Sequence, residues 1–292
     1  MYFMGLSVSR SGVEWDGIVT GLHGGGFHES PVVPRIAIGR ARALYVGPGL
    51  ALAPHLNVAT TIAVSLGEPL GLRIWCRAGG WSPWRSLEVG VIPSETLHHL
   101  RSCGPMAFLY LDPLTDRRQP RADADLQRGR EVLLRTANRT GIDAAFAAFG
   151  LREQAPRDPR IARVALEIER RPEAFARLGE AAALACLSPS RFRARFDAEV
   201  GLPFRRYRLW RRMAAVMRTL ACAGNLTDAA HAAGFSSSAH LSTAFRRMFG
   251  LSPSEFLALG LVIDVSGDPA AAQPPTPTPA SRRPPSPPRA SA

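Results

Sequence analysis

Two stretches of the 292-residue chain carry side chains suited to the edges of nucleic-acid bases and the oxygens of phosphates. The first, "LSPSRFRARF" at 187–196, sets Ser190, Arg191, Arg193, Ala194 and Arg195 among Leu187, Phe192 and Phe196. The second, "FSSSAHLSTAFRRMF" at 235–249, sets Ser238, Ala239, Ser242, Thr243, Arg246 and Arg247 among Phe235, Leu241 and Phe245. At helical periodicity the apolar members of each set point inward and the polar members outward. Arginine pairs bidentately with guanine, Ser and Thr bond to bases or phosphates, and a helix N-terminus accepts a phosphate. The chemistry implied is non-covalent reading of a polyanion.

These stretches are halves of one repeat. Leu178, Glu180, Ala181, Ala182, Leu187, Ser188 and Ser190 correspond to Leu226, Asp228, Ala229, Ala230, Phe235, Ser236 and Ser238, and Phe196 and Gly201 to Phe245 and Gly250. Each copy reads as a short helix, a tight turn and a second helix, with the Ala pairs allowing close helix approach. Copy one is expected to start its second helix on a Ser188 cap with Pro189 in the first turn. Copy two is expected to turn at Gly234 and cap on Ser236. Between the copies, residues 204–223 contain neither Gly nor Pro. A helix of that length spans about 30 Å, close to the roughly 34 Å of one turn of B-DNA, so it can hold two reading helices at successive major grooves.

Residues 158–261 resemble the DNA-binding domain of AraC/XylS-type transcription regulators. The resemblance rests on "LSPSRFRARF", on "LWRRMAAVMRTL" as the connecting helix, and on "AAHAAGFSSSAHLSTAFRRMFGLSPSEF" as the second unit. It implies a double helix-turn-helix that binds double-stranded DNA in a bacterium, with RNA polymerase as a further partner where the regulator activates. It places Ser190, Arg193 and Ala194, then Ser238, Ala239, Ser242 and Thr243, toward base edges. Copy two has short side chains where the family often carries long ones. Copy one is therefore expected to read sequence, and copy two to hold phosphate through Arg246 and Arg247. Leu257 stands where many relatives carry Arg.

Composition agrees with a polyanionic partner. All 36 basic residues are arginine, the net charge is +12, and residues 151–262 hold 18 arginines against 10 acidic residues. Cys76, Cys103, Cys186 and Cys222 form no C-x-x-C pair and are expected as small core residues. The start lacks a signal-peptide pattern and no run is long enough for a membrane span, which points to the cytoplasm and the nucleoid. Residues 263–292 are expected to be a disordered tail, with nine prolines from 268 onward.

The amino-terminal half has another texture. "ARALYVG", "TTIAVSLG", "GLRIWCRAG", "LEVGVIP" and "MAFLYLDP" are short strands between turn signals, and resemble the cupin-like sensor domain of the same regulators. The fold class is thus α+β in two domains: a β-barrel sensor over 1–118 and an all-α DNA-binding domain over 157–262. Between them a helical segment at 119–156 ends in a linker around Pro156 and Pro159; the resemblance implies a homodimer contact through this helix, and Leu126, Leu133 and Leu134 are expected either to make it or to pack onto their own barrel. The resemblance implies a small-molecule effector inside the barrel, for which His55, Trp75, Arg77, Trp84 and His98 are candidates, with Arg73, Trp81, Arg85 and Tyr110 beside them. His55 begins no H-x-H pattern, so no metal, no cofactor and no enzymatic activity are expected. The alternatives are a cupin enzyme with an appended DNA-binding module and a regulator whose front domain binds a protein.

Overall fold

The structure is a computed structural model that describes residues 33–116, 123–136, 139–222 and 224–265. The alternating apolar runs become β1 (Arg35–Ile38), β2 (Ala43–Gly47), β3 (His55–Leu56), β4 (Thr61–Ser65) and β5 (Leu70–Cys76). There follow β6 (Gly80–Trp81), β7 (Arg85–Leu87), β8 (Val89–Ile92), β9 (Leu97–Arg101) and β10 (Met106–Tyr110). The helices are α1 (Asp123–Thr136), α2 (Ile142–Ala148), α3 (Pro159–Arg170), α4 (Leu178–Leu184) and α5 (Pro189–Val200). After them come α6 (Phe204–Ala221), α7 (Leu226–Ala232), α8 (Ser238–Phe249), α9 (Pro253–Leu257) and a last strand, β11 (Val262–Val265).

The strands form a six-stranded sheet in the order β11-β1-β2-β10-β4-β8 and a smaller sheet in the order β3-β9-β5-β6, with β7 paired to β5. No strand pairing joins them among the described residues, so the expected barrel is an open sandwich. Its closing edges are too short to zip together: β3 and β6 have two residues each, and β3 begins next to Pro54, which has no N–H to donate.

Both faces of the large sheet are covered, which is why β2, β4 and β10 read as unbroken apolar runs. On one face Leu44, Val46, Ile62, Val64 and Leu109 pack against Leu133 of α1 and Phe146 and Phe149 around α2. Leu126 joins this cluster, while Leu134 is exposed, so α1 spends most of its apolar stripe on its own sheet. On the other face Tyr45, Met106, Phe108 and Tyr110 share a core with Leu70, Leu72 and Leu100 of the small sheet and with α6 and α8.

That second core makes one body of sandwich and helices. Trp210 of α6 is buried against Tyr110, ring centroids 6.0 Å apart, and its Nε1 donates to the Ala41 carbonyl at 3.0 Å. Phe249 at the end of α8 meets Tyr110 edge-on. Arg218 donates to the Gly39 and Arg40 carbonyls, and Arg206 pairs with Glu95 at 2.9 Å. Arg211, 4% exposed, lies between Glu169 of α3 at 3.0 Å and Asp112 after β10 at 3.9 Å.

Residues 152–158 form no regular element, where the linker was expected. The tail does not begin at 263. Residues 262–265 are β11, which pairs in parallel with β1, Arg35 opposite Val262, and the Val262 N–H donates to Pro34 at 2.9 Å. The short "LVIDV" alternation supplied the strand, and the open β1 edge supplied its partner. The remainder of the Pro-rich stretch lies outside the described residues. The cysteines are also not core residues: all four are exposed, at strand ends, in a turn and at the end of α6.

Trp210→Ala removes a buried indole and its hydrogen bond from the joint. We expect a loss of about 3–5 kcal/mol in denaturant unfolding. Sandwich and helical signals, coincident in the wild type, should then separate.

Candidate nucleic-acid interface

Each helix-turn-helix is built from side chains that the repeat prescribes. Ala181, Ala182, Ala229 and Ala230 are at most 1% exposed, so α4 and α7 sit close on their partners. The Ser188 hydroxyl accepts from Arg191 N–H, and Pro189 opens α5. In copy two Gly234 takes φ +76°, and a Cβ there would come within 2.9 Å of Glu173. The cap of α8 is Ser237, whose hydroxyl accepts from His240 N–H, and not Ser236. Copy two has three consecutive serines, and the helix starts one residue later than the repeat alignment implies. Ser236 instead hydrogen-bonds His240 Nδ1 at 3.0 Å.

Phe192, Phe196, Leu241 and Phe245 are buried under these helices. Ser190, Arg191, Arg193, Ala194 and Arg195 on α5 are all exposed, as are Ala239, Thr243, Arg246 and Arg247 on α8. Ser238 and Ser242 are half-buried. The exposed arginines make no close ion pair with another described residue, although Arg195 lies within the field of Asp158 and Arg246 within that of Glu255. Thr243 donates its hydroxyl proton to the Ala239 carbonyl at 3.0 Å, which leaves it only accepting capacity outward. His240, exposed and set edge-on to Phe235, belongs to this face and was not singled out by charge or spacing.

Three arginines that the charge count assigned to the polyanion are structural. Arg212, 8% exposed, donates to the Ala233 carbonyl at 2.7 Å and lies 3.8 Å over the Phe235 ring, bracing the copy-two turn. Its burial lowers the guanidinium pKa to about 10. Arg208 donates to the Phe175 carbonyl ahead of copy one. Arg211 holds Asp112, whose carboxyl is pushed up by desolvation and pulled back by that guanidinium.

A family model described as a helix-turn-helix domain matches residues 181–258, from α4 through α9. The carboxy-terminal region is an AraC-type helix-turn-helix domain. Among solved structures, apo ToxT from Vibrio cholerae strain SCE256 is similar at 11% identity, over 75% of this chain and 97% of its own, with a TM-score of 0.50. That is a likeness of fold, and it spans sandwich and helices alike. The DNA-binding domain of AdpA in complex with a target DNA matches at 28% identity, over 35% of this chain and 91% of its own, with a TM-score of 0.31. A DNA-binding transcriptional dual regulator from Escherichia coli K-12 matches at 20% identity, over 36% and 92%, with a TM-score of 0.32. No curated protein matches the chain.

The AraC-type domain closes one side of a cavity of about 50 Å³. Tyr45, Phe108 and Tyr110 line it from the large sheet, Trp210, Met213 and Met217 from α6, and Phe245 and Phe249 from α8, with Arg42 as the charged member. Of the effector candidates named from sequence, Tyr110 alone reaches it. His55 and His98 are opposed across β3 and β9, rings 4.1 Å apart and nearly fully buried. Trp75, Arg77 and Trp84 stand away from the core on the small sheet, with Arg73, Trp81 and His99. Among the described residues no group of three or more His, Cys, Asp or Glu is placed to hold a metal ion, and no helix is long and apolar enough to cross a membrane.

Desolvation, then the neighbouring His98, pushes His55 down to about 3, and burial lowers His98 as well. In the unfolded chain both titrate near about 6.5. Their stabilising contribution is complete above that value and is lost as pH falls below it. Unfolding free energy should therefore drop on going from about pH 7 to about pH 5, with a slope of up to about 1.4 kcal/mol per pH unit for each histidine. His98→Leu should flatten the profile in urea titrations.

Proposed function

We propose that the chain is a transcription regulator that reads two successive major grooves of duplex DNA with α5 and α8, under control of an apolar small molecule held between the sandwich and the AraC-type domain. The observation that carries the DNA reading is the pair of exposed Arg/Ser/Thr faces on two helix-turn-helix units joined by the single helix α6. Arg193 reads a base edge, while Arg246 and Arg247, at the far end of α8, hold phosphate. The regulator acts in the bacterial cytoplasm, with RNA polymerase and a second copy of the chain as further partners. Leu134 is the apolar residue that α1 leaves free for that copy.

The effector reading rests on the cavity, whose walls come from both domains. It is smaller than the roughly 150 Å³ that holds benzene in an engineered core. A ligand of any size must therefore part α6 and α8 from the sheet, and so moves the elements that carry the reading helices. Differential affinity for the two arrangements is what couples ligand to DNA.

Selection of a random duplex library with the full chain tests the DNA reading. The expected product is two half-sites about one helical turn apart. Arg193→Ala should relax preference at one base pair, at a cost of roughly 1–3 kcal/mol, whereas Arg246→Ala should weaken all sequences alike and lower the salt slope by about 1. Sequence-blind binding throughout would overturn the reading. For the effector, a panel of apolar compounds should yield one that adds about 2.7 kcal/mol of stability at 100 times its dissociation constant. Met213→Trp, which fills the cavity, should abolish that gain.

A further inference from the structure

The small sheet turns an unusual face outward. Along β5 the outward positions are Gly71, Arg73 and Trp75, and along β9 they are His99 and Arg101, with Arg73 opposite His99 and Gly71 opposite Arg101. Trp81 and Trp84 complete the surface. The Arg73 guanidinium lies 4.7 Å from the ring centres of both Trp81 and Trp84, and Arg101 lies 4.2 Å over Trp84. Arg73 also donates to His99 Nδ1, and Trp75, 44% exposed, meets Trp81 edge-on at 5.8 Å. Arg77 in the following turn and Arg85 at the start of β7 are exposed at its margin.

Among the described residues no carboxylate pairs with Arg73, Arg77, Arg85 or Arg101. Their positive field is felt locally: the His99 imidazole is held below its ordinary range by desolvation and then by Arg73 and Arg101. The Arg73 and Arg101 guanidiniums are held over indole rings; Arg73 spends its Nε and one Nη on His99, which leaves its second Nη and the N–H groups of Arg101 unclaimed by any described carboxylate. Guanidinium N–H groups suit carboxylates or phosphates in bidentate geometry.

We propose that this face docks an acidic segment of another protein. Three features select that occupant. The surface is an open sheet face, whereas small molecules need concavities that enclose most of their area. Trp84 has two guanidiniums within stacking distance and Trp81 has Arg73, so Trp75 is the one indole of the three with no guanidinium over it, too few for the successive base stacking that a single-stranded nucleic acid uses. Exposed Trp and Arg side by side are the residue types that dominate protein interfaces. A second copy of this chain, net +12, does not offer the complementary charge.

The test uses the full chain bound to its selected duplex, so that the DNA-reading face is already occupied, and follows indole fluorescence on titration with a short peptide alternating Glu and Thr. We expect saturable quenching that salt weakens. Arg73→Ala with Arg101→Ala should reduce affinity about tenfold or more, and Lys at both positions should restore only part of it. Unchanged binding by the double variant, or no saturable binding, overturns the proposal. Single-stranded DNA competing better than the peptide overturns it in favour of a nucleic-acid contact. Duplex affinity, measured in parallel, is unaffected by these variants if the DNA reading is right, and so reports separately on that reading.

Discussion

The burial of α6 against the inner face of the large sheet is the contact on which the remaining arrangement depends. That helix joins the two reading units, and its opposite side fills the sandwich through Trp210, Met213 and Met217. Without it the sheet would expose Tyr45, Phe108 and Tyr110, an aromatic surface larger than a soluble domain leaves open. The sandwich in turn gives α6 a bed that fixes its direction, and with it the separation of α5 and α8. The geometry of the two helix-turn-helix units and the core of the sandwich are therefore one packing problem.

A buried ionic chain registers this joint. Arg42 forks onto Asp116, whose carboxylate accepts the Asp112 N–H, Asp112 faces Arg211, and Arg211 reaches Glu169, which also meets Arg40. Burial raises the Asp112 carboxyl against the pull of Arg211, whereas the neighbouring carboxylates raise Arg42 and Arg211 against their own desolvation, so removing either member of a pair leaves a buried charge uncompensated. The network contributes orientation more than stability: a shift of α6 along the sheet strands a buried charge. The Ala53–Gly250 hydrogen bond of 2.9 Å acts at the other end of the joint, where Gly250 at φ +78° lies against Ala53 and His55 too closely for a side chain.

The DNA-binding half was legible because its signals are local. Caps, Ala pairs, the Gly234 turn and the apolar spacing each act within a few residues, and the repeat doubled every one of them. The cap on Ser237 escaped because three adjacent serines are equivalent in sequence, and only the packed turn chooses among them. The interdomain cavity escaped for the opposite reason. Tyr45, Trp210 and Phe249 come from three distant segments, and an exposed aromatic cannot be told from a buried one by type. Strand parity explains the effector candidates: Arg73 and Trp75 alternate with Leu72 and so face away from the core, while His55 and His98 fall inside. Arg208, Arg211 and Arg212 show the limit of charge counting, since a guanidinium that braces a turn and one that meets a phosphate look the same in a string.

The AraC-type domain is tied to the sandwich at both ends. The linker from Leu151 enters it at α3, and β11 leaves it to extend the sheet at β1. A domain held by one linker can swing freely and can transmit an effector only by changing how often it is docked. Held twice, with Arg211 and Glu169 at the copy-one side and Gly250 at the copy-two side, it can respond by changing the angle between α5 and α8 while staying attached. Packed cores shift between discrete arrangements and do not bend continuously. In the proposed regulator, a ligand entering the cavity beside Met213 and Phe249 would act on the spacing between half-sites.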